Sequence, residues 1–335
     1  MKALVNTPKD HIFHTFFTPE NCALAERLGQ ITWNESSEQL TKDEVKEKIK
    51  DCDVYITTWG ANRLDREILD CAPNLKLLTH LCGTVVPFVS DEMWERGIRV
   101  ISGNDYFAHS VAEGTIAYML SSLRQIPYYI SRLTRDRVWK ANEDYSRSLL
   151  YKTVGIVSYG AIAKYLVKML QAFEVKILIY DICDIPAEDK EKYTMTQTSL
   201  EEVFANSDIV SVHTPLNDKT FHLIGDKLFS LMKPDALFIN TARGSVVDQV
   251  ALTSHLVKGD FYAFLDVYEK EPVDFDDPLL SLPNVLTMPH KGGPTTDLRQ
   301  YITRDLLIES AGFVDEGKPL VNELKKERAM MMSNS

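Results

Sequence analysis

The sequence predicts an α/β protein built of two doubly wound domains with a cleft between them. Three observations carry this prediction. The chain has 335 residues, which at roughly 150 residues per domain makes about two domains. Short apolar runs alternate with amphipathic stretches from the first residues onward, the pattern of a parallel sheet covered by helices on both faces. That alternation pauses over a long helical stretch and restarts at Thr153.

Taken in order, Lys2 to Asn6 reads as a strand and Glu20 to Leu28 as a helix. Thr41-Lys42-Asp43-Glu44 is a capping box that opens a charged helix reaching Lys50. Strands follow at Val54 to Thr58, Leu75 to His80 and Arg99 to Ser102, with helices at Leu64 to Asp70 and, started by Ser90, at Asp91 to Arg96. From Val111 to about Arg135 the pattern is one long helix, with a kink expected at Pro127. The second series has strands at Thr153 to Val157, Val175 to Tyr180, Ile209 to His213, Ala236 to Asn240, Ala263 to Val267 and Val285 to Met288. Its helices run from Ala161 to Phe173 and from a second capping box, Ser199-Leu200-Glu201-Glu202, and a final helix runs from Thr295 to about Val314.

Composition narrows the class of function. Hydrophobic residues are 44% and charged residues 25%, the balance of a folded chain. A net charge of −11 repels phosphate backbones and anionic lipid, so neither nucleic acid nor membrane is expected as a partner. No run of about 18 apolar residues and no signal-like N-terminus is read, which predicts a cytoplasmic protein. Cys22, Cys52, Cys71, Cys82 and Cys183 form no Cys-x-x-Cys pair, and reduced thiols are expected. His11 and His14 stand at i and i+3 but lack companions, so no metal is expected.

The most informative turn is Ser158-Tyr159-Gly160-Ala161-Ile162-Ala163, between an apolar strand and a helix. Ser158, Gly160 and Ala163 take the three small-residue places of a dinucleotide fingerprint, where backbone amides approach a pyrophosphate at the helix N-terminus. Serine in the first place adds a Cβ that strains the turn or a hydroxyl for the phosphate. Asp181 ends the next apolar strand, 18 residues after Ala163. A carboxylate there accepts from ribose hydroxyls and repels a 2′-phosphate, which favours NAD over NADP.

From here the motifs are more specific. Val212-His213-Thr214-Pro215-Leu216 with Lys219-Thr220, Asn240-Thr241-Ala242-Arg243-Gly244, Leu265-Asp266-Val267-Tyr268-Glu269-Lys270-Glu271-Pro272 and Met288-Pro289-His290-Lys291-Gly292-Gly293 follow the glycine turn in order. With them the chain resembles the D-isomer-specific 2-hydroxyacid dehydrogenase family over roughly residues 50 to 305. The resemblance implies Rossmann-like and flavodoxin-like domains: a discontinuous substrate domain of residues 1 to 102 and 292 to 335, and an NAD-binding Rossmann domain of residues 103 to 291. It also implies a catalytic trio of Arg243, Glu271 and His290.

The chemistry of those residues agrees with that role. Reducing a 2-oxo acid needs a cation to grip the carboxylate and polarise the ketone, and an acid to protonate the developing alkoxide. Arg243 and His290 supply them, and Glu271 orients and tunes the imidazole, with Glu269 as its alternative. The resemblance further implies cofactor contacts at His213, Thr214 and Pro215, the last two beside the adenosine, at Thr241 and Ala242 beneath the ribose, and at Asp266 on the nicotinamide carboxamide. The substrate loop it implies is Cys82-Gly83-Thr84, which keeps one glycine where relatives usually have two. Lys291 replaces a commonly apolar residue, and Tyr106, Phe107 and Trp139 are candidate specificity aromatics. Formate dehydrogenase is disfavoured by Glu271. The reading is an NAD-dependent oxidoreductase for a small-molecule 2-oxo or D-2-hydroxy acid, expected as a homodimer. The alternative is a non-catalytic, NAD-sensing corepressor-like protein of the same fold.

Overall fold

A computed structural model describes residues 1–140 and 144–333, and the chain divides into two compact units. The first is Met1–Phe107 with Pro294–Ser335; the second is Ala108–Gly293.

The first unit is built on five parallel strands, β1 (Lys2–Asn6), β2 (Gln30–Trp33), β3 (Val54–Thr57), β4 (Leu77–His80) and β5 (Arg99–Ser102), in the order β2-β1-β3-β4-β5. Every residue of β3 and β4 is buried, as expected of a parallel strand covered on both faces. Alternate residues feed two cores: Ala3 and Val5 pack with Phe13, Phe16 and Leu306 on one side, and Leu4 packs with Val45, Tyr55 and Ile68 on the other. Thr18 caps the helix Pro19–Leu28, and the Thr41/Glu44 capping box opens Lys42–Lys48 as the sequence predicts. The long helix Thr296–Glu316, which the short helix Lys326–Ala329 follows, packs on the helices Phe13–Phe16 and Pro19–Leu28 of this unit.

The second unit holds seven parallel strands, β6 (Thr153–Val157), β7 (Lys176–Tyr180), β8 (Met195–Gln197), β9 (Ile209–Val212), β10 (Leu237–Asn240), β11 (Tyr262–Leu265) and β12 (Val285–Thr287). Their order is β12-β11-β10-β9-β6-β7-β8, so the direction of strand addition reverses between β6 and β9. In doubly wound sheets ligands bind outside the carboxyl ends of the strands at such a reversal.

Two edge strands, β2 and β8, went unread in the sequence because they are only partly buried and carry no continuous apolar run. The long helix is corrected more substantially. It runs from Asn104 to Leu123, stops, and restarts as Ile126–Thr134. Gln125 between them takes a left-handed conformation, and Pro127 sits in the first turn of the second helix, where its missing N–H costs nothing. A break replaces the expected kink. Among the described residues no helix is long and apolar enough to cross a membrane.

Burial of two histidines gives the fold a pH signature. Burial lowers His80, at the end of β4, to about 3 and His213, just after β9, to about 4. Both stay neutral in the native protein while the unfolded chain takes up protons below about 6.5. Their contribution is therefore complete above pH 6.5 and is lost as pH falls through the range between 6.5 and the native values. At pH 5 this amounts to about 2 kcal/mol per histidine. Urea midpoints measured from pH 7 to 5 are expected to fall less steeply in His80→Asn than in the parent. Parallel slopes would exclude His80 as a source of the acid sensitivity.

Candidate active site

The candidate cofactor and catalytic residues of the second unit lie beyond the carboxyl ends of parallel strands. Ser158 follows β6, Asp181 follows β7, His213 and Thr214 follow β9, Thr241 to Arg243 follow β10, Asp266 follows β11, and His290 lies three residues beyond β12. Parallel pairing therefore gathers segments more than 130 residues apart in sequence along one edge of one sheet, 158 to 290.

The turn after β6 carries the strain that its serine predicts. Ser158 has φ +81°, a conformation glycine adopts freely and other residues rarely do. Asp181 holds it in place: its Oδ2 accepts from the Tyr159 amide at 2.6 Å and from the Ser158 hydroxyl at 3.3 Å, and its Oδ1 accepts from the Cys183 amide at 2.8 Å. Gly160 has an ordinary backbone and a Cβ there would meet nothing within 4 Å, so no packing inside the protein requires a glycine at this place. The helix Ala161–Leu170 begins on Gly160 with no side-chain cap, whereas Ser199 and Asp248 cap other helices of the unit. Open space at Gly160 and uncapped first-turn amides at Ala161 and Ile162 fit a pyrophosphate. His213 is buried, with Nε2 on the Ser211 hydroxyl at 2.9 Å and Nδ1 among the buried atoms that have no partner. The Thr214 hydroxyl donates to the Val157 carbonyl at 3.3 Å and ties β9 to β6. The residues present fit a dinucleotide.

The turn after β10 is held by an asparagine. Asn240 Oδ1 accepts from the Ala242 amide and its Nδ2 donates to the Arg243 carbonyl, each at 3.0 Å. Arg243 Nη1 donates to the Ala242 carbonyl at 2.7 Å. Burial lowers the Arg243 pKa and the Glu271 carboxylate opposes that effect. Gly244 is indispensable here, because a Cβ would lie 1.8 Å from the Tyr268 carbonyl carbon. Glycine thus lets the Arg243 turn pack directly on the Tyr268–Glu271 loop.

On that loop Glu271 Oε1 accepts from the Tyr268 amide at 3.0 Å, and Oε2 meets His290 Nδ1 at 2.6 Å. Glu269 is turned to His222, at 2.9 Å from Nε2. Of the two glutamates, it is therefore Glu271 that pairs with His290. Asp266 is 1% exposed and its two oxygens accept from the Lys291 amide at 2.7 Å and the Gly292 amide at 2.6 Å, while its carbonyl accepts from the His290 amide at 2.8 Å. It thereby clamps the segment that carries His290, whose φ is +52°. The sequence reading missed this clamp and the Asn240 brace. The second had a signal, an asparagine two residues before the amide it binds, as in an Asx turn.

Cys82, Gly83 and Thr84 lie in the first unit, on the loop after β4. Cys82 is fully buried, and burial pushes its thiol well above the ordinary range. A Cβ on Gly83 would touch Phe107 at 3.4 Å, and the Thr84 hydroxyl donates to the Ser333 carbonyl at 2.8 Å. Tyr106 donates to Asp305 in the same unit. Trp139 belongs to the second unit and is 80% exposed. Among the described residues no group of three or more His, Cys, Asp or Glu could hold a metal ion.

Comparison with known proteins agrees with this architecture. Residues 116–292 match the model of the D-isomer specific 2-hydroxyacid dehydrogenase NAD binding domain. The chain is 32% identical over 301 residues to a glyoxylate reductase of Thermococcus litoralis, covering 87% of this chain and 90% of that protein. It is 34% identical over 279 residues to a D-3-phosphoglycerate dehydrogenase of Methanocaldococcus jannaschii, of which it spans 52% while using 83% of its own length. Among solved structures, D-2-hydroxyisocaproate dehydrogenase superposes with a TM-score of 0.79 at 25% identity, over 97% of this chain and 99% of that one. The domain matched, the two parallel sheets and relatives that align along most of the chain lead to one assignment: the protein belongs to the D-isomer specific 2-hydroxyacid dehydrogenase family, and its second unit is the NAD-binding domain.

Proposed function

We propose that this protein is an NAD-dependent oxidoreductase interconverting a 2-oxo acid and a D-2-hydroxy acid, with Arg243, Glu271 and His290 as its catalytic residues. The observation that carries the reading is the 2.6 Å contact between Glu271 Oε2 and His290 Nδ1. Glu271 accepts at Nδ1, which assigns that nitrogen a proton and leaves Nε2 to exchange one with the substrate oxygen. In reduction His290 Nε2 donates to the developing alkoxide; in oxidation it accepts the hydroxyl proton. Arg243 presents a planar fork of donors to the carboxylate and carbonyl oxygens and stabilises charge as it builds. Bound NAD supplies or accepts the hydrogen and two electrons at the reacting carbon. Ser158 to Ile162, Asp181, His213 to Pro215, Thr241, Ala242 and Asp266 are the groups assigned to hold it. On the first unit, Cys82, Gly83 and Thr84 are assigned to substrate through their backbone.

The test is NADH consumption with a panel running from glyoxylate, pyruvate and hydroxypyruvate to branched and aromatic 2-oxo acids. Turnover of at least one acid is expected. Silence across the panel with NADH binding intact would overturn the reading in favour of an NAD-sensing protein. Asp181→Ala is expected to weaken NADH binding about 10- to 100-fold, the value of losing charge-assisted hydrogen bonds of 1.5–3 kcal/mol, and to weaken NADPH binding less. A fluorescence titration reads both, and equal losses would remove Asp181 as the selectivity residue.

A homodimer is part of the proposal. Ile126, Ile130 and Leu133 are 44%, 56% and 46% exposed and recur at helical spacing on Ile126–Thr134. Sedimentation at micromolar concentration distinguishes dimer from monomer.

A further inference from the structure

Glu269, the glutamate that does not meet His290, has a partner of its own. His222 Nε2 lies 2.9 Å from its Oε1, and since a carboxylate only accepts, Nε2 is the donor. His222 stands on the segment after β9 with φ +48°, a conformation uncommon outside glycine that its surroundings must hold. Those surroundings include the turn of Arg243. The His222 amide donates to the Ser245 carbonyl at 2.9 Å and the Ile224 amide to the Val246 carbonyl at 3.1 Å, so the two segments lie side by side, with Ile224 bridged to Val247. The Phe221 ring stacks on the imidazole at 4.0 Å and covers one of its faces.

His222 therefore joins two pieces of the candidate active site. Its backbone is fixed to Ser245, two residues after Arg243, and its side chain to Glu269, two residues before Glu271. The two pieces already lie close, for a Cβ on Gly244 would be 2.3 Å from the Glu269 amide nitrogen. That amide donates to Gln249 Oε1 at 3.0 Å, which anchors the loop a second time, on the helix Gln249–Lys258. Glu271 is itself set by the loop, since its Oε1 accepts from the Tyr268 amide at 3.0 Å while its Oε2 meets His290. The His222 and Glu269 side chains are 33% and 35% exposed. A pair exposed to that degree adds little to stability, so its effect is on geometry.

We propose that His222 is a positioning residue that acts through Glu269: it fixes the distance between the Arg243 turn and the Glu271 loop, and with it the aim of the His290 imidazole. The inference rests on the oxidoreductase reading and deepens it, since it assigns His222 no contact with substrate or cofactor. A displacement of about 1 Å that starts away from the reacting atoms is enough to cost about 10²-fold in rate. Loss of the His222 bond leaves Glu269 anchored at its amide, so a smaller loss, about tenfold, is expected.

The test uses the full chain with His222→Ala, Glu269→Ala, both together, and His222→Gln. For each, kcat and KM are measured with the 2-oxo acid of the panel that the parent turns over fastest, and NADH affinity is read by fluorescence. The ring nitrogen-15 resonances of His290, assigned by their loss in His290→Ala, are recorded without NAD. Either alanine variant is expected to lower kcat about tenfold, to leave NADH affinity within about twofold and to shift the His290 resonances. The double variant is expected to lose no more than either single one, because both break the same bond. His222→Gln, whose amide donates to Glu269 in place of Nε2, is expected to return kcat to within about threefold of the parent. A folded His222→Ala enzyme that keeps the kcat of the parent, losses that multiply in the double variant, or a glutamine variant no better than alanine would overturn the proposal. Glu269→Ala keeps it falsifiable if His222→Ala does not fold. A parent that turns over no acid would sink the oxidoreductase reading, and the resonances then decide alone: unmoved in both alanine variants they overturn the positioning role, and shifted they uphold it.

Discussion

His290→Ala is expected to lower kcat for 2-oxo acid reduction about 10²- to 10⁴-fold, the usual value of a positioned general acid, with a smaller change in KM. The expectation rests on the division of the ring. Nδ1 is engaged by Glu271 at 2.6 Å, and the imidazole is 48% exposed, which leaves Nε2 available to a substrate. His290→Gln is expected to lose nearly as much, since an amide donates a hydrogen bond but transfers no proton. Glu271→Gln is expected to fall between these variants and the parent, because it keeps the shape of the pair and replaces a charge-assisted hydrogen bond at Nδ1 with a weaker neutral one. Stopped-flow traces of NADH consumption read the chemical step directly. A His290→Ala enzyme within threefold of the parent would remove the imidazole from the reaction.

Arg243→Ala is expected to lower kcat/KM by about 10²- to 10³-fold, about 3–4 kcal/mol of lost transition-state stabilisation. Arg243→Lys is expected to recover little of it. A lysine keeps the charge but not the planar fork that meets two oxygens at once. The loss is expected in KM as well as kcat, because the same cation grips the carboxylate before the carbonyl reacts. The fold is expected to survive both changes, since Asn240 braces the turn through the Ala242 amide and the Arg243 carbonyl, and neither change removes those bonds. Thermal unfolding near that of the parent, combined with lost turnover, separates a catalytic from a structural arginine. An enzyme that keeps its KM for every acid in the panel after Arg243→Ala would sink the carboxylate-binding role.

Local chemistry made much of this legible. Thr41 and Ser199 each stand three residues before a glutamate, and both capping boxes form. Apolar runs such as Val54–Thr57 and Leu237–Asn240 are buried along their whole length, so their strand assignment needs no tertiary information. Less was legible where packing overrides pattern. The apolar periodicity continues through Gln125, yet the backbone turns there, and a period alone does not show where a helix stops. Edge strands β2 and β8 pair on one side only and are partly exposed, so no continuous apolar run marks them.

The sequence by itself determined the fold class and the strand-end placement of Ser158 and Asp181, because these depend on periodicity, punctuation and residue spacing within single segments, and its motifs carried the resemblance that implied the family and the places of Arg243 and His290. Tertiary structure alone decided which groups meet. Glu271 faces His290 while Glu269 faces His222, Asp266 clamps the amides of Lys291 and Gly292, and Arg299 lies against Phe16 and Trp59. Each of these contacts joins side chains or loops that pairing in a parallel sheet brings together from distant parts of the chain. Their distances follow from strand order and register, which emerge only when the whole sheet has packed.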